Sequence, residues 1–169
     1  GASKIFPEAW EKFLEPIPVD ERNSLMSAYH KIFLGDDENK RLKAAIAWSI
    51  WEGSTSSISY KPEMVSSFSD PKFALAFALI ENHYFMNLGF LEHEDQLIKS
   101  SSIDKIRHIP AKIIQGRYDM ICPVETAWEL SKNWQEAELI IAPSSGHSAF
   151  EKEITHHLIS ATNEFSENV

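Results

Sequence analysis

Two different hydrophobic patterns divide the chain. Up to about residue 105, apolar residues recur at the three- and four-residue spacing of amphipathic helices. In the second predicted helix these positions are Leu25, Ala28, Tyr29, Ile32 and Phe33. Beyond residue 105, two short apolar runs, 112–115 and 138–142, are typical of buried parallel strands. The patterns predict a mainly helical region, 1–105, and an α/β region, 106–169.

Capping and stop signals set the predicted ends of the helices. Asp20 and Asp70 are suited to N-caps, and Asp70 is followed by Pro71, which favours the first turn of a long apolar helix. Gly35 and Gly53 are predicted helix ends. A closing helix is predicted from 151 to about 165, with three apolar residues facing inward. They are Ile154, Leu158 and Ile159.

The α/β region contains a possible acid–base pair. A predicted helix, 124–134, joins the two strands and is long enough for a right-handed crossover between parallel neighbours. Asp119 follows the first strand and His147 follows the second. Functional sites in open parallel sheets are built at the carboxyl ends of strands. The order, acid and then histidine, is that of the nucleophile–His–acid triad of α/β hydrolases.

Each of these residues also has a purely structural interpretation. Asp119 is suited to anchoring a turn or helix N-terminus, and His147 to capping the closing helix or packing in the core. Cys122 lies near Asp119 in sequence. We expect it to be a packed small residue rather than a nucleophile, because no base is predicted beside it.

Two glutamates depart from local rules. Glu81 lies within an apolar stripe of its helix, where a carboxylate needs a partner or loses its charge; Arg or backbone N–H groups are the ordinary partners. Glu52 lies in a last helical turn, where the helix dipole is unfavourable to a negative charge. Exceptions of this kind tend to occur at functional sites. An exposed Glu that tolerates a small cost is the structural alternative for Glu52.

Composition excludes several functional classes. The 169 residues are 43% hydrophobic, which is enough for a folded core, and their net charge of −9 disfavours nucleic acid and anionic membranes. One cysteine excludes an internal disulfide framework, and no histidine spacing indicates a metal site. No run approaches the ~20 apolar residues of a membrane helix. Because the chain begins with Gly and without an apolar leader, we expect an engineered or processed boundary, with native targeting information missing.

Several segments together resemble the C-terminal part of proline iminopeptidases (prolyl aminopeptidases), which are serine peptidases of the α/β-hydrolase fold. The segments are 51–53 (Trp-Glu-Gly), 73–78, 80–85, 106–110, 116–119 (Gly-Arg-Tyr-Asp) and 146–148 (Gly-His-Ser). The resemblance implies a partial α/β-hydrolase fold, namely its last two strand–helix units, with residues 1–105 as a helical cap. The family's Gly-x-Ser-x-Gly nucleophile motif and His-Gly-Gly oxyanion segment are absent from these residues.

The resemblance also implies roles for the candidate residues. Asp119 would orient His147, His147 would be the base, and Glu52 and Glu81 would receive the α-amino group of a peptide with a free N-terminal proline. No cofactor or metal is expected, and we expect a cytoplasmic location. Without a nucleophile, the chain by itself is expected to be inactive. We also expect it to self-associate through an exposed strand edge.

Two other functional classes remain open. One is a non-catalytic binding or interaction module that keeps the amine-binding cap. The other is a different α/β hydrolase, such as an esterase or epoxide hydrolase, which shares only the scaffold. Convergence of Glu52 and Glu81 on one pocket would argue against this second alternative.

Overall fold

The computed structural model describes residues 1–59 and 61–167. They form two compact units. The first contains Gly1–Thr55 with Tyr60–Leu91, and the second contains Ser56–Ser59 with Glu92–Val169. The predicted functional domains, 1–105 and 106–169, stay predictions, and residues 168 and 169 lie outside the described part of the chain. The described residues are mostly helical, with one small parallel sheet, so the class is mixed α/β.

Helices are the regular secondary structure of the first unit among its described residues. Its helices are α1 (Pro7–Leu14), α2 (Leu25–Leu34), α3 (Glu38–Thr55), α4 (Pro62–Phe68) and α5 (Pro71–Met86). The core is aromatic: the Phe13 and Tyr29 ring centroids are 4.8 Å apart, and those of Tyr29 and Trp48 are 5.0 Å apart. The Tyr29 hydroxyl donates to the Phe13 carbonyl at 2.6 Å, which satisfies the buried polar atom.

The predicted buried face of α2 is largely confirmed. Ala28, Tyr29, Ile32 and Phe33 are buried, and Leu25 is partly buried. The residues at these positions pack toward the aromatic core. Helical periodicity therefore identified the core-facing side of α2 correctly.

Two of the predicted helix signals are confirmed and two are wrong. Gly35 follows the last residue of α2, and the Asp70 side chain accepts hydrogen bonds from the first turn of α5. Asp20 is not the cap of α2, because it lies in a 3-10 turn, Val19–Glu21, and Ser24 precedes the helix. Gly53 does not end α3. It lies inside the helix, where a Cβ would approach a Phe68 ring atom to 2.9 Å.

The second unit contains α6 (Ser100–Ile103), β1 (Lys112–Gly116), α7 (Val124–Asn133), β2 (Glu138–Ala142) and α8 (Lys152–Glu167). The two strands pair in parallel, with Lys112 opposite Glu138 and Gly116 opposite Ala142. Both strands begin where they were predicted, but most of their residues are only partly buried. Helices α7 and α8 both pack against the sheet.

The predicted inward face of α8 is partly wrong. Ile154 is buried, but Leu158 and Ile159 are 40% and 55% exposed. The second buried position is Ala161, seven residues after Ile154, so a narrow stripe of α8 makes the contact. Among the described residues, no helix combines the length and hydropathy needed to cross a membrane.

Candidate active site

Two turns at the carboxyl end of the sheet lie side by side. The first follows β1 and carries Asp119, and the second follows β2 and carries His147. The Tyr118 amide donates to the Ser145 carbonyl at 2.9 Å, so backbone hydrogen bonding continues beyond the strands. Parallel pairing therefore brings an acid and an imidazole to one edge of the sheet.

Glycine permits the close approach of these turns. A Cβ on Gly116 would lie 1.9 Å from the Gly146 carbonyl oxygen and 2.6 Å from that of Ser145. Neither oxygen belongs to a flexible side chain that could move aside. The contact requires glycine at position 116 for steric reasons.

The Asp119 carboxylate is the centre of the site. Its Oδ2 accepts from His147 Nδ1 at 3.0 Å, which confirms the predicted hydrogen-bond reach of the two side chains. Its Oδ1 accepts from the amides of Ile121 and Cys122 at 3.0 and 2.8 Å. Asp119 is buried, whereas the His147 side chain is 40% exposed. Asp119 is thus immobilised from one side and presents its other oxygen to the imidazole.

Gln115 is a further member of the site that the sequence did not indicate. Its Nε2 donates to Asp119 Oδ2 at 3.0 Å and to the Cys122 carbonyl at 2.9 Å. The only available signal was its place near the end of β1, four residues before Asp119. Gln115 ties the strand to the acid-bearing turn and supports the carboxylate oxygen that faces His147.

The pair is electrostatically coupled. Burial is the largest single influence on Asp119 and raises its pKa, but hydrogen bonds from His147, Cys122 and Ile121 together hold that pKa below its usual value. The hydrogen bond to Asp119 is the main cause that raises the pKa of His147 to about 10, and a hydrogen bond with the Cys122 side chain is the second. Burial opposes this rise. The imidazolium form of His147 is therefore stabilised.

These pKa shifts imply a defined pH dependence of stability. The folded state favours protonated His147, so this contribution is complete below the usual histidine pKa of 6.5 and is lost as pH rises through about 10. The folded state favours ionised Asp119. That contribution is present above the usual value of 3.8 and is lost as pH falls through the lowered pKa.

The expected packing of Cys122 is wrong, and the expectation that it is not a nucleophile stays a prediction. Its side chain is exposed rather than packed, and it lies close enough to His147 to influence the imidazole. The assumption behind the expectation, that no base lies beside the thiol, is also wrong. The base comes from a turn 25 residues further along the chain, which adjacency in sequence does not reveal.

Glu81 has a specific partner in the first unit. The buried Trp48 indole donates to Glu81 Oε2 at 2.7 Å. The partner in this bond is therefore an indole N–H, and not the Arg or backbone N–H group that is the ordinary alternative. Glu52 lies in the last turn of α3, one turn beyond Trp48 on the same helix face. Helices α3 and α5 pack together, and the Trp48–Glu81 bond joins them. The proposed amine-binding roles of both glutamates stay predictions.

The site contains two groups suited to proton transfer, an imidazole and a carboxylate. Within residues 1–59 and 61–167, no group of three or more His, Cys, Asp and Glu side chains is placed to hold a metal ion. An imidazole bound through Nδ1 to a carboxylate can exchange a proton at its other ring nitrogen, Nε2. A carboxylate and an imidazole in this geometry can act together as an acid–base pair.

Comparison with known proteins gives this arrangement a family. The proline iminopeptidase of Xanthomonas citri is 52% identical over 166 residues, which cover 98% of this chain and 52% of that protein. The Arabidopsis thaliana protein of the same name is 48% identical over 162 residues, which cover 95% of this chain and 42% of that protein. The Neisseria gonorrhoeae proline iminopeptidase is 44% identical over 161 residues, which cover 95% of this chain and 50% of that protein.

The chain belongs to the proline iminopeptidase family, and it spans about half the length of the curated relatives it matches. No family model matches it.

Proposed function

We propose that these residues are part of a serine exopeptidase that releases N-terminal proline from peptides, with a partial α/β-hydrolase fold and a helical cap. The observation that carries the proposal is the 3.0 Å hydrogen bond between His147 Nδ1 and Asp119 Oδ2 at the carboxyl end of the sheet. Asp119 orients the imidazole and stabilises its charged form, and His147 takes the proton of a serine. The names of the homologues support a peptidase function.

The raised pKa of His147 adds a requirement to this mechanism. An imidazole with a pKa of about 10 is protonated at neutral pH, and a protonated ring cannot act as a base. Desolvation disfavours the imidazolium. A longer protein that covers the His147 side chain, which is 40% exposed here, would therefore lower its pKa toward the working range.

Recognition of the amino terminus is assigned to Glu52 and Glu81. The hydrogen bond from Trp48 holds one Glu81 oxygen in place within an aromatic setting. Negative charges in such a setting favour a free ammonium group over an internal peptide bond. This would make the enzyme an exopeptidase rather than a general hydrolase, esterase or epoxide hydrolase.

The test uses a protein of the full length of the relatives and a prolyl chromogenic amide. We expect Asp119→Asn and His147→Ala each to lower kcat by about 10⁴-fold. The control His108→Ala removes an exposed histidine of the same unit and should leave kcat unchanged. Normal kcat in the His147 variant would refute the proposal.

The substrate class is tested by a second comparison. Glu52→Gln and Glu81→Gln should impair turnover of a substrate with a free amino terminus much more than they impair folding. N-acetylation of the substrate should abolish turnover by the unsubstituted enzyme. Unchanged kinetics in both variants would remove the amine-binding role and favour a different hydrolase.

The 169-residue chain by itself should release no proline. It contains no Gly-x-Ser-x-Gly motif to supply a nucleophile next to His147. Any residual rate should be the same in His147→Ala. If a rate is measured that disappears in this variant, the chain has another nucleophile.

A further inference from the structure

Glu151 is a buried carboxylate outside the acid–base pair. It is 8% exposed and lies just before α8. Its Oε1 accepts from the Ile58 amide at 2.9 Å, and its Oε2 accepts from the Gly146 amide at 3.0 Å. The two amides are far apart in sequence. One side chain thus satisfies backbone donors of two separate segments of the second unit.

The segment that contains Ile58 also binds the histidine turn directly. The Ser56 carbonyl accepts from the amides of His147 and Ser148 at 3.0 and 2.8 Å. There is little space for a side chain at Gly146, because a Cβ on it would lie 3.3 Å from the Ile58 nitrogen and 3.5 Å from Glu151 Oε1. The backbone amides of Gly146, His147 and Ser148 are therefore bound either by Glu151 or by Ser56, and Glu151 also binds the segment that contains Ser56.

We propose that Glu151 is a positioning residue for His147. It binds the turn at the residue directly before the histidine and fixes the opposite segment, and together these contacts set the direction of the imidazole. The 3.0 Å contact with Asp119 depends on that direction. The catalytic meaning of this inference rests on the proposed function, but its geometric content does not.

Glu153 provides a matched control. It also accepts from the histidine turn, through the Ser144 amide at 2.9 Å and the Ser145 hydroxyl at 3.1 Å. These contacts lie further from His147 and involve no donor from the Ser56–Ser59 segment. Loss of Glu153 should disturb the beginning of the turn and leave the imidazole in place.

The first test follows the His147 ring by NMR through a pH titration of the 169-residue chain. The Glu151→Gln change replaces an acceptor oxygen with an amide N–H₂ group that opposes a backbone N–H. The Asp119 contact should then be partly lost, and the pKa of His147 should fall by about one unit or more. Glu153→Gln should retain the value of the unsubstituted chain, and Glu151→Asp, which keeps both oxygens on a shorter stem, should lie between.

The second test measures kinetics in a protein of the full length of the relatives. Glu151→Gln should lower kcat by about 100-fold with little change in KM, as expected for a misdirected base. If the unsubstituted protein has no peptidase activity, the proposed function fails while the titration still decides the role of Glu151. An unchanged His147 titration in Glu151→Gln would overturn the inference. So would loss of folding in both Glu151 variants, since this would show a general structural role.

Discussion

Two imidazoles, one in each compact unit, are held in almost the same way. His30 Nδ1 lies 2.7 Å from Asn82 Oδ1 in the first unit, and His147 Nδ1 lies 3.0 Å from Asp119 Oδ2 in the second. Asn82 is nearly fully buried and also donates to the Met26 carbonyl at 3.0 Å. Both acceptors are fixed by neighbouring backbone, and both leave Nε2 of the ring unbound by this contact.

The acceptor determines what each imidazole can do. A neutral amide oxygen orients a ring, but only a carboxylate also stabilises the positive charge that the ring gains when it takes a proton. His30 and Asn82 join α2 to α5, as a structural pair does. His147 and Asp119 join two turns at the carboxyl end of the sheet, where functional sites are built. Hydrogen-bond geometry alone therefore does not distinguish a structural histidine from a candidate base.

The largest expected effect comes from the backbone contact between the two turns. Gly116→Ala should destabilise the second unit by about 3 kcal/mol or more, because the new Cβ meets backbone oxygens that cannot withdraw. Gly53→Ala is the matched change in the first unit. There the Cβ meets the Phe68 side chain, with Cγ at 2.9 Å, so that side chain or its helix must shift, and a gain in helix propensity of about 1 kcal/mol offsets only part of the cost.

Thermal and urea unfolding of both glycine variants would check this difference. We expect a clear loss of stability in Gly116→Ala and a distinctly smaller loss in Gly53→Ala. Equal losses would show that the close approach of the turns is no more constrained than the packing of α3 on α4.

A smaller effect is expected from the partner of Glu81. Trp48→Phe keeps an aromatic ring in the core but removes the indole N–H, so the unfolding free energy should fall by about 2 kcal/mol. Trp128→Phe alters a half-exposed tryptophan of the second unit and should change stability by less than about 0.5 kcal/mol. Chemical denaturation measures both, and indistinguishable midpoints would contradict the importance of the Trp48–Glu81 bond.

Weak self-association is the third expectation. The strand residues are mostly only partly buried, and among the described residues the sheet has two strands and hence two outer edges. Such edges can pair with a second copy. Sedimentation at increasing concentrations should give a rising average mass. A single monomeric species with exchange-protected strand amides would show that the sheet edges are covered in another way.

The sequence predicted the acid–base pair because topology alone brings it together. Parallel strands with a helical crossover have their carboxyl ends at the same end of the sheet. The positions of Asp119 and His147 directly after the two strands were therefore enough to predict that they lie close together. The buried side of α2 was predictable for a similar reason, since helical periodicity has a fixed relation to one face.

Other contacts were not predictable from local patterns. Trp48 and Glu81 are 33 residues apart, and Ile58 and Glu151 are 93 residues apart. Their meeting depends on how helices and loops pack, which no periodicity encodes. The same limit explains the error on Cys122, because its neighbour His147 comes from the other turn. It also explains the exposure of Leu158 and Ile159, because periodicity does not define how wide the buried face of a helix is.

The most direct test of the central claim is an NMR pH titration of the His147 ring in the 169-residue chain and in its Asp119→Asn variant. The variant replaces the carboxylate with the kind of acceptor that His30 has. We expect a midpoint near 10 in the unsubstituted chain and a fall toward 6.5 in the variant, because the main cause of the raised pKa is removed. Cys122→Ser, which alters the second cause, should produce a smaller fall. Equal midpoints in the unsubstituted chain and Asp119→Asn would show that Asp119 does not stabilise the imidazolium and would contradict the acid–base pair.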